Sequence, residues 1–389
     1  MIRRYGSEFF AHQGAGLTPT QRKVLAAMGA CRTAEMGAHV QSCEHCGAEV
    51  ILYNSCGDRH CPKCQGGKRG EWFEKHRQDL LPVEYFHVVF TVPEQLNLLA
   101  RAHPKVFYGL LFRAARETLL EVAATPRHLG GQIGGLMVLH TWGQTLWLHP
   151  HIHAIVPGGA ISPDGQWLSC PKGFFLPVKV LSRVFRGKLL AFLQKAYDAG
   201  ELPMTGGQAH LAQRPQFRRL LSPLYEIEWV VYAKPPINGG PEQILKYLAR
   251  YVYRVAISND RLESIENGQV TFRYKDYADG HRWRRMTLPA EEFLERLALH
   301  ISPRGFVRVR SFGFLANCHR SEKLALIRGL LHVSAVASAG EASGAWVVSD
   351  PRRCPHCGQA ALRTLSRTSR PRARQMVAWT YRPRPFDTS

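Results

Sequence analysis

Two Cys-x-x-Cys pairs, Cys43/Cys46 and Cys61/Cys64, stand fourteen residues apart near the front of the chain. Pairs at that separation read as the two knuckles of one four-cysteine structural zinc site. Residues 1–75 hold six of the ten cysteines. A segment of that size builds little apolar core, and a closed metal site substitutes for one. Cys56 and His60 lie close enough in sequence to replace a ligand, with Cys31 and His39 as weaker candidates. Lys63, Lys68, Arg69, Lys75 and Arg77 surround the second pair. The module therefore suits DNA docking, with a protein contact as the alternative.

The opening residues, MIRRYGSEFFAHQ, lack the apolar centre of a secretion signal. Mostly paired cysteines in such a chain point to metal binding in a reducing compartment, the cytoplasm. No run of about 18 apolar residues suggests a membrane span. Lys and Arg number 51 against 30 Asp and Glu, a formal charge of +21. Such an excess draws polyanions, nucleic acid first, because neutralised phosphates release counterions.

The 389 residues exceed what one ordinary core organises. Three parts are expected: a cysteine-rich module at 1–75, a larger domain at 76–320 and a C-terminal part at 321–389. In the middle, Glu84–Val92, Gly135–Trp142, His151–Val156 and Glu228–Ala233 read as strands from their β-branched and aromatic content. Val270–Lys275 and Arg282–Leu288 flank Asp279-Gly280 as a hairpin. Pro104–Ala123 and Pro241–Val255 read as helices, the second with proline at its first position. There is no strict βαβ rhythm, so the expected class is α+β, an antiparallel sheet with helices on one face.

Within LWLHPHIHAIVPGG, alternation puts His151 and His153 on one face of a strand and turns Ile152 into the core. Two imidazoles held rigidly on a strand can share one metal ion. His149 joins that face only if the strand extends to it, and Pro150 argues that regular pairing begins afterwards. His149 stands as a third ligand, a phosphate contact or a bystander. An H-x-H pair alone also fits an edge strand without metal.

In PEQILKYLARYVYRVAISN the helical period gathers Ile244, Leu245, Leu248, Val252 and Val255 into one apolar stripe. Tyr247 and Tyr251, four apart, stack beside it, with Gln243 and Arg254 near the same face. Tyr253 points away, towards the side of Lys246. A phenol has a pKa of about 10, so its attack on a phosphodiester needs a metal or cation that favours the phenolate. The phosphotyrosine so formed keeps the energy of the broken linkage for a later reversal. Tyrosines flanking a stripe also serve as core-boundary packing. Two histidines on one strand, in a strongly basic chain, tip the balance towards chemistry.

HPHIHAIV followed by KYLARYVYRVAISN resembles the two-tyrosine HUH transposases of rolling-circle insertion sequences, the insertion-sequence 91 class. YFHVVFTVP ahead of them, NSCGDRHCPKCQ at the front and SFGFLANCHR behind are similar to the same family. The resemblance implies a palm-like antiparallel sheet with the HUH strand central, preceded by an N-terminal transposase zinc-binding domain. It implies a magnesium or manganese ion that polarises the scissile phosphate, and a tyrosine whose attack leaves a 5′-phosphotyrosine and a free 3′-hydroxyl. By residue match the HUH pair is His151 and His153, and the tyrosines are Tyr247 and Tyr251. A third polar ligand is also implied. Gln243 and His87 are candidates for it, the one otherwise a solvated helix-start residue and the other a satisfied core histidine. Arg250 and Arg254 are expected at DNA phosphates or in solvent.

Near the C-terminus, Cys354-Pro-His-Cys357-Gly is a knuckle with no matching second pair. Cys318 and His319 are its nearest completion, and a zinc site there is not expected. Arg363, Arg367, Arg370, Arg372, Arg374, Arg382 and Arg384, interleaved with Trp379 and Tyr381, suit single strands held by charge and stacking, or else a disordered basic tail.

The reading favoured overall is a transposase that nicks and joins single-stranded DNA at element ends. A HUH replication initiator or relaxase would use the same chemistry. A zinc-bearing DNA-binding protein without catalysis would keep the cysteines and the charge but need no tyrosine pair.

Overall fold

The computed structural model describes residues 1–65, 72, 76–237, 241–332 and 353–369. The chain divides into two compact units, residues 1–67 with 344–389, and residues 68–343.

The smaller unit begins with α1 (Ile2–Gln13) and α2 (Pro19–Ala30). Thr18 caps α2 in a reciprocal box: its side chain accepts from the Gln21 N–H, and its own N–H donates to Gln21 Oε1 at 2.8 Å. β1 (Ala38–Cys43) and β2 (Glu49–Tyr53) then form an antiparallel pair. The other edge of β1 is taken by the C-terminal strand Leu362–Thr368, paired from Ala38↔Thr368 to Cys43↔Leu362 with a register shift between Val40 and Gln41. Residues 353–369 therefore fold with the front module instead of forming a part of their own. Arg363 and Arg367 lie on that strand. The rest of the basic tail, from Arg370 to Arg384 with Trp379 and Tyr381, falls outside the described residues, as do Lys68, Arg69 and Lys75.

Among the described residues the cysteines form two clusters of four, and this corrects the single site expected from Cys43, Cys46, Cys61 and Cys64. One cluster is Cys31, Cys56, Cys61 and Cys64; the other is Cys43, Cys46, Cys354 and Cys357. In the first, Cys31 and Cys56 each lie 3.6 Å from Cys64, and Cys31 lies 3.7 Å from Cys61, sulfur to sulfur. The physical reason is β2. Its five residues run back along β1 and carry the second knuckle roughly 17 Å from the first at about 3.3 Å per residue. Cys31, just past the end of α2, meets it there. His39 and His60 supply no ligand atom to either cluster, and neither do Cys318 and His319.

The larger unit runs β3 (Tyr85–Thr91), α3 (Asn97–Ala102), α4 (Pro104–Ala124), β4 (Gly134–Trp142) and β5 (Leu148–Pro157). There follow a short pair, β6 (Gly159–Ile161) and β7 (Trp167–Ser169), then α5 (Val178–Asp198), α6 (Arg214–Leu221), β8 (Val231–Lys234) and α7 (Pro241–Val252). It closes with β9 (Leu262–Glu266), β10 (Gln269–Asp276), β11 (Arg282–Pro289), α8 (Ala290–Ala298), β12 (Val309–Gly313) and α9 (Arg320–Leu330). β9, β10 and β11 make a separate sheet whose hairpin turns at Asp279-Gly280, as expected.

The main sheet is antiparallel, in the order β12-β4-β5-β3-β8, so the histidine strand β5 is central. Alternation gives its two faces different tasks. Phe86, Val88, Phe90, Leu139, Ile152 and Val156 point to one side, into a core filled by Phe107 and Leu111 of α4 and Phe185 and Leu189 of α5. The opposite face carries His87, His140, His151 and His153, with Leu136 and Ile155 beside them. α7 lies on this second face: Ile244, Leu245 and Leu248 pack against Ile155 and Leu136. The α+β class and the antiparallel sheet are as expected; α4 and α5 cover one face, and the tyrosine helix lies on the other, where all the helices were expected on one. Among the described residues no helix is long and apolar enough to cross a membrane.

Candidate active site

Strand pairing assembles the histidines. His151 sits opposite His140 of β4 on one side and Thr91 of β3 on the other, and His153 sits opposite Val138 and Val89. The ligand atoms of His140, His151 and His153 lie within 4.8 Å of one another. Each ring has one nitrogen already engaged. His151 Nδ1–H donates to the His149 carbonyl at 2.6 Å, His140 Nε2–H donates to the Tyr251 carbonyl at 2.9 Å, and His153 Nδ1 lies 2.7 Å from His87 Nε2. That leaves His151 Nε2, His140 Nδ1 and His153 Nε2 for a ligand.

His153 Nε2 is buried and makes no hydrogen bond. An orphaned buried polar atom costs about 1–3 kcal/mol, a cost that a metal ion on the lone pair would remove. The rings are also in the ligating form. Burial, then the neighbouring His149, push His151 down to about 3, and burial holds His140 and His153 well below the ordinary imidazole range. Neutral imidazole with an oriented second nitrogen is what metal ligation requires. The donor set therefore fits a divalent ion with positions left open for oxygen ligands.

The tyrosines stand directly over this face. The Tyr247 hydroxyl is 2.6 Å from His87 Nδ1, and the Tyr251 O–H donates to the Tyr247 oxygen at 3.2 Å. The Tyr251 ring centre lies 4.6 Å from that of His153 and 4.7 Å from that of His87. Burial, then the Tyr251 hydroxyl, hold the Tyr247 phenol above its ordinary range. The Arg250 guanidinium draws the phenol back down, and Lys234, opposite His87 on β8, places its Nζ 5.9 Å from the Tyr247 ring centre.

The helix is fixed at its C-terminal end, where backbone carbonyls are left without intrahelical partners. Buried Arg308 donates to the carbonyls of Val252 at 2.8 Å and Arg254 at 3.3 Å, and His140 takes that of Tyr251. These bonds end α7 at Val252, short of the expected Val255. Tyr253 faces Trp72, ring centres 6.3 Å apart.

Of the expected third ligands, neither His87 nor His149 joins the cluster of His140, His151 and His153. Gln243 is exposed in the first turn of α7. His149 is displaced by a bulge: β5 places two residues, His149 and Pro150, opposite the single Thr141 of β4, so the His149 ring stays exposed at the edge of the site, 5.1 Å from the His151 ring centre to centre, while its carbonyl accepts from His151. His87 touches the cluster through His153 without belonging to it. His140 is the third member, and sequence reasoning missed it. The available signal was a histidine in the otherwise apolar run GGLMVLHTW, one strand before the H-x-H pair. Arg250 and Arg254 are exposed, consistent with phosphate or solvent contact.

Residues 134–323 match a family model described as "Putative transposase", and residues 1–92 match one described as "Transposase zinc-binding domain". The chain is similar to "Putative transposase y4qJ" of Sinorhizobium fredii, 49% identical over 375 residues that cover 94% of each protein. It is also similar to the transposase for insertion sequence element IS801 of Pseudomonas savastanoi pv. phaseolicola, 27% identical over 375 residues, 92% of this chain and 88% of that one. A solved structure of the conjugative relaxase TrwC in complex with mutant OriT DNA aligns at 16% identity and a TM-score of 0.22, over 62% of this chain and 72% of that one, a likeness too slight to bear on function.

Proposed function

The chain belongs to the insertion-sequence transposase family of these relatives, and from that premise we propose that it nicks and joins single-stranded DNA through a tyrosine of α7, beside a divalent ion on His140, His151 and His153. One observation carries the reading: the partnerless, buried Nε2 of His153 lies beneath two tyrosines whose hydroxyls are 3.2 Å apart. Magnesium or manganese bound there would polarise the scissile phosphate.

The protein's own groups do the rest. With His153 Nε2 acting as a ligand, the ring hydrogen resides on Nδ1 and is donated to His87 Nε2. His87 then carries its hydrogen on Nδ1 and donates it to the Tyr247 oxygen, which also accepts from the Tyr251 hydroxyl. The His87 donor aimed at that oxygen stabilises negative charge there and works against the burial and the Tyr251 hydroxyl that hold the phenol high. Attack on phosphorus forms the Tyr–O–P bond and breaks the P–O3′ bond. The phenolic proton ends on the departing 3′ oxygen, leaving a 3′-hydroxyl and a 5′-phosphotyrosine. A 3′-hydroxyl of another strand reverses the step, and since one ester replaces another no external energy source is needed. Two adjacent tyrosines hold two ends in succession, as rolling-circle transposition requires. The +21 charge and the zinc-binding unit suit the protein to gripping element ends.

The test is an SDS-resistant adduct with a single strand that carries the element's ends, in manganese or magnesium. Wild type and Tyr253→Phe should form it. The double variant Tyr247→Phe/Tyr251→Phe should not, and chelation should abolish cleavage while sparing much of the DNA binding. An adduct from the double variant rejects the assignment.

A further inference from the structure

We propose that the protein holds a second zinc ion, bound by Cys43 and Cys46 from the front of the chain and by Cys354 and Cys357 from far along it, and that this ion fastens the C-terminal strand to β1. The segment matched as a zinc-binding domain, residues 1–92, contains all of Cys31, Cys56, Cys61 and Cys64 but only half of this second cluster. The proposal does not depend on the DNA chemistry.

The two loops are twins. In CEHCG the Cys43 N–H donates to the Ala48 carbonyl at 2.9 Å, and the Gly47 N–H to the Cys43 carbonyl at 2.8 Å. In CPHCG the Cys354 N–H donates to the Gln359 carbonyl at 2.7 Å, and the Gly358 N–H to the Cys354 carbonyl at 2.9 Å. Gly47 and Gly358 are both left-handed, with φ of 72° and 74°, a conformation that glycine adopts at no steric cost. Each loop presents two thiols.

Facing one another, the loops set Cys43 and Cys357 3.6 Å apart, and Cys46 and Cys354 3.8 Å apart, sulfur to sulfur. Four sulfurs at about 2.3 Å from a tetrahedral zinc are separated by about 3.8 Å, whereas a disulfide needs about 2.05 Å. The spacing is that of ligands around one ion.

The frame around the cluster calls for such an ion. β1 enters the first loop and the C-terminal strand leaves the second. The two strands pair as far as Cys43↔Leu362, and the Glu44 N–H extends the ladder to the Ala361 carbonyl at 2.9 Å. Besides that ladder Gln41 donates to the Thr364 hydroxyl and Asn54 to the Thr368 carbonyl, each at 3.3 Å, but among the described residues little apolar packing holds the strand. Leu365 is 56% exposed, and Ile51, Leu52 and Tyr53 on β2 are exposed too. A three-stranded sheet with so little buried apolar surface needs a metal in place of a core.

Metal analysis of the dialysed full-length protein should find two zinc ions per chain, and one in Cys354→Ser/Cys357→Ser. A single ion in the wild type, or two in the variant, overturns the proposal. A second measurement needs no variant. Native protein treated with iodoacetamide should be alkylated at exposed Cys318 while Cys43, Cys46, Cys354 and Cys357 stay protected. Stripping the metal should expose all four and open Arg363 and Arg367 to trypsin. Alkylation of Cys354 and Cys357 in the zinc-loaded protein rejects the site.

Discussion

A single imidazole, that of His87, links Tyr247 to His153, with hydrogen bonds of 2.6 Å to the phenol and 2.7 Å to the ring. His87→Phe keeps the buried volume and removes both bonds. Loss of a partner that orients a metal ligand typically costs about 10–100-fold in affinity, so calorimetric manganese binding should weaken by that order. At saturating manganese, single-turnover adduct formation should remain slow, because the donor aimed at the Tyr247 oxygen is gone. Full recovery of rate at high metal would limit His87 to the metal side.

Arg308→Met tests the anchor of the tyrosine helix. It leaves the Val252 and Arg254 carbonyls without their guanidinium donor, a loss of about 2–3 kcal/mol for bonds from a charged group. Thermal melts should show the destabilisation, and amide exchange should quicken in the last turn of α7. Adduct yield should fall further than DNA affinity.

His300 gives a pH dependence of known sign. Its Nε2–H donates to the Leu146 carbonyl at 3.0 Å and its Nδ1 accepts from the Thr141 hydroxyl at 3.2 Å. Burial pushes its pKa down to about 4, against about 6.5 in an unfolded chain. Below that unfolded value the unfolded state takes up a proton that the folded state refuses. The contribution is therefore whole above about pH 6.5 and drains away as pH falls towards the folded value. Melting temperature should drop between about pH 7 and pH 5, and drop less steeply in His300→Gln. Identical slopes would remove His300 from the account.

Cys31 and Cys318 should behave as opposites. Cys31→Ser breaks a four-thiol cluster in which it touches Cys61 and Cys64, and should cost the protein one zinc ion. Cys318 is exposed and lies outside both clusters. Cys318→Ser should change neither metal content nor melting temperature.

What the chain discloses before it is folded follows from the range of each interaction. The tyrosine helix is legible because its stripe, Ile244 to Val252, repeats within one turn, and β5 is legible because alternation is local. His140 is opaque: nothing within its own strand marks it, and it gains meaning only when β4 lies beside β5. Its neighbour in the cluster, His151, is set opposite it by register alone. The cysteines mislead for the same reason. Cys43 stands beside Cys357, 314 residues away, and proximity in sequence points instead to Cys61. The bulge that turns His149 aside arises from a mismatch between two strands, and neither strand reveals it alone.

The pairing of Ala38 with Thr368 also sets an order of events in the cell. A ribosome adding roughly 5–20 residues per second extrudes β1 on the order of tens of seconds before its edge partner exists. During that interval the front of the chain waits, one ladder of backbone groups and two sulfurs short of closure, while everything that carries the histidines and tyrosines is being translated. A product released early keeps that open edge permanently, so closure of the smaller unit reports that the larger one has been made in full.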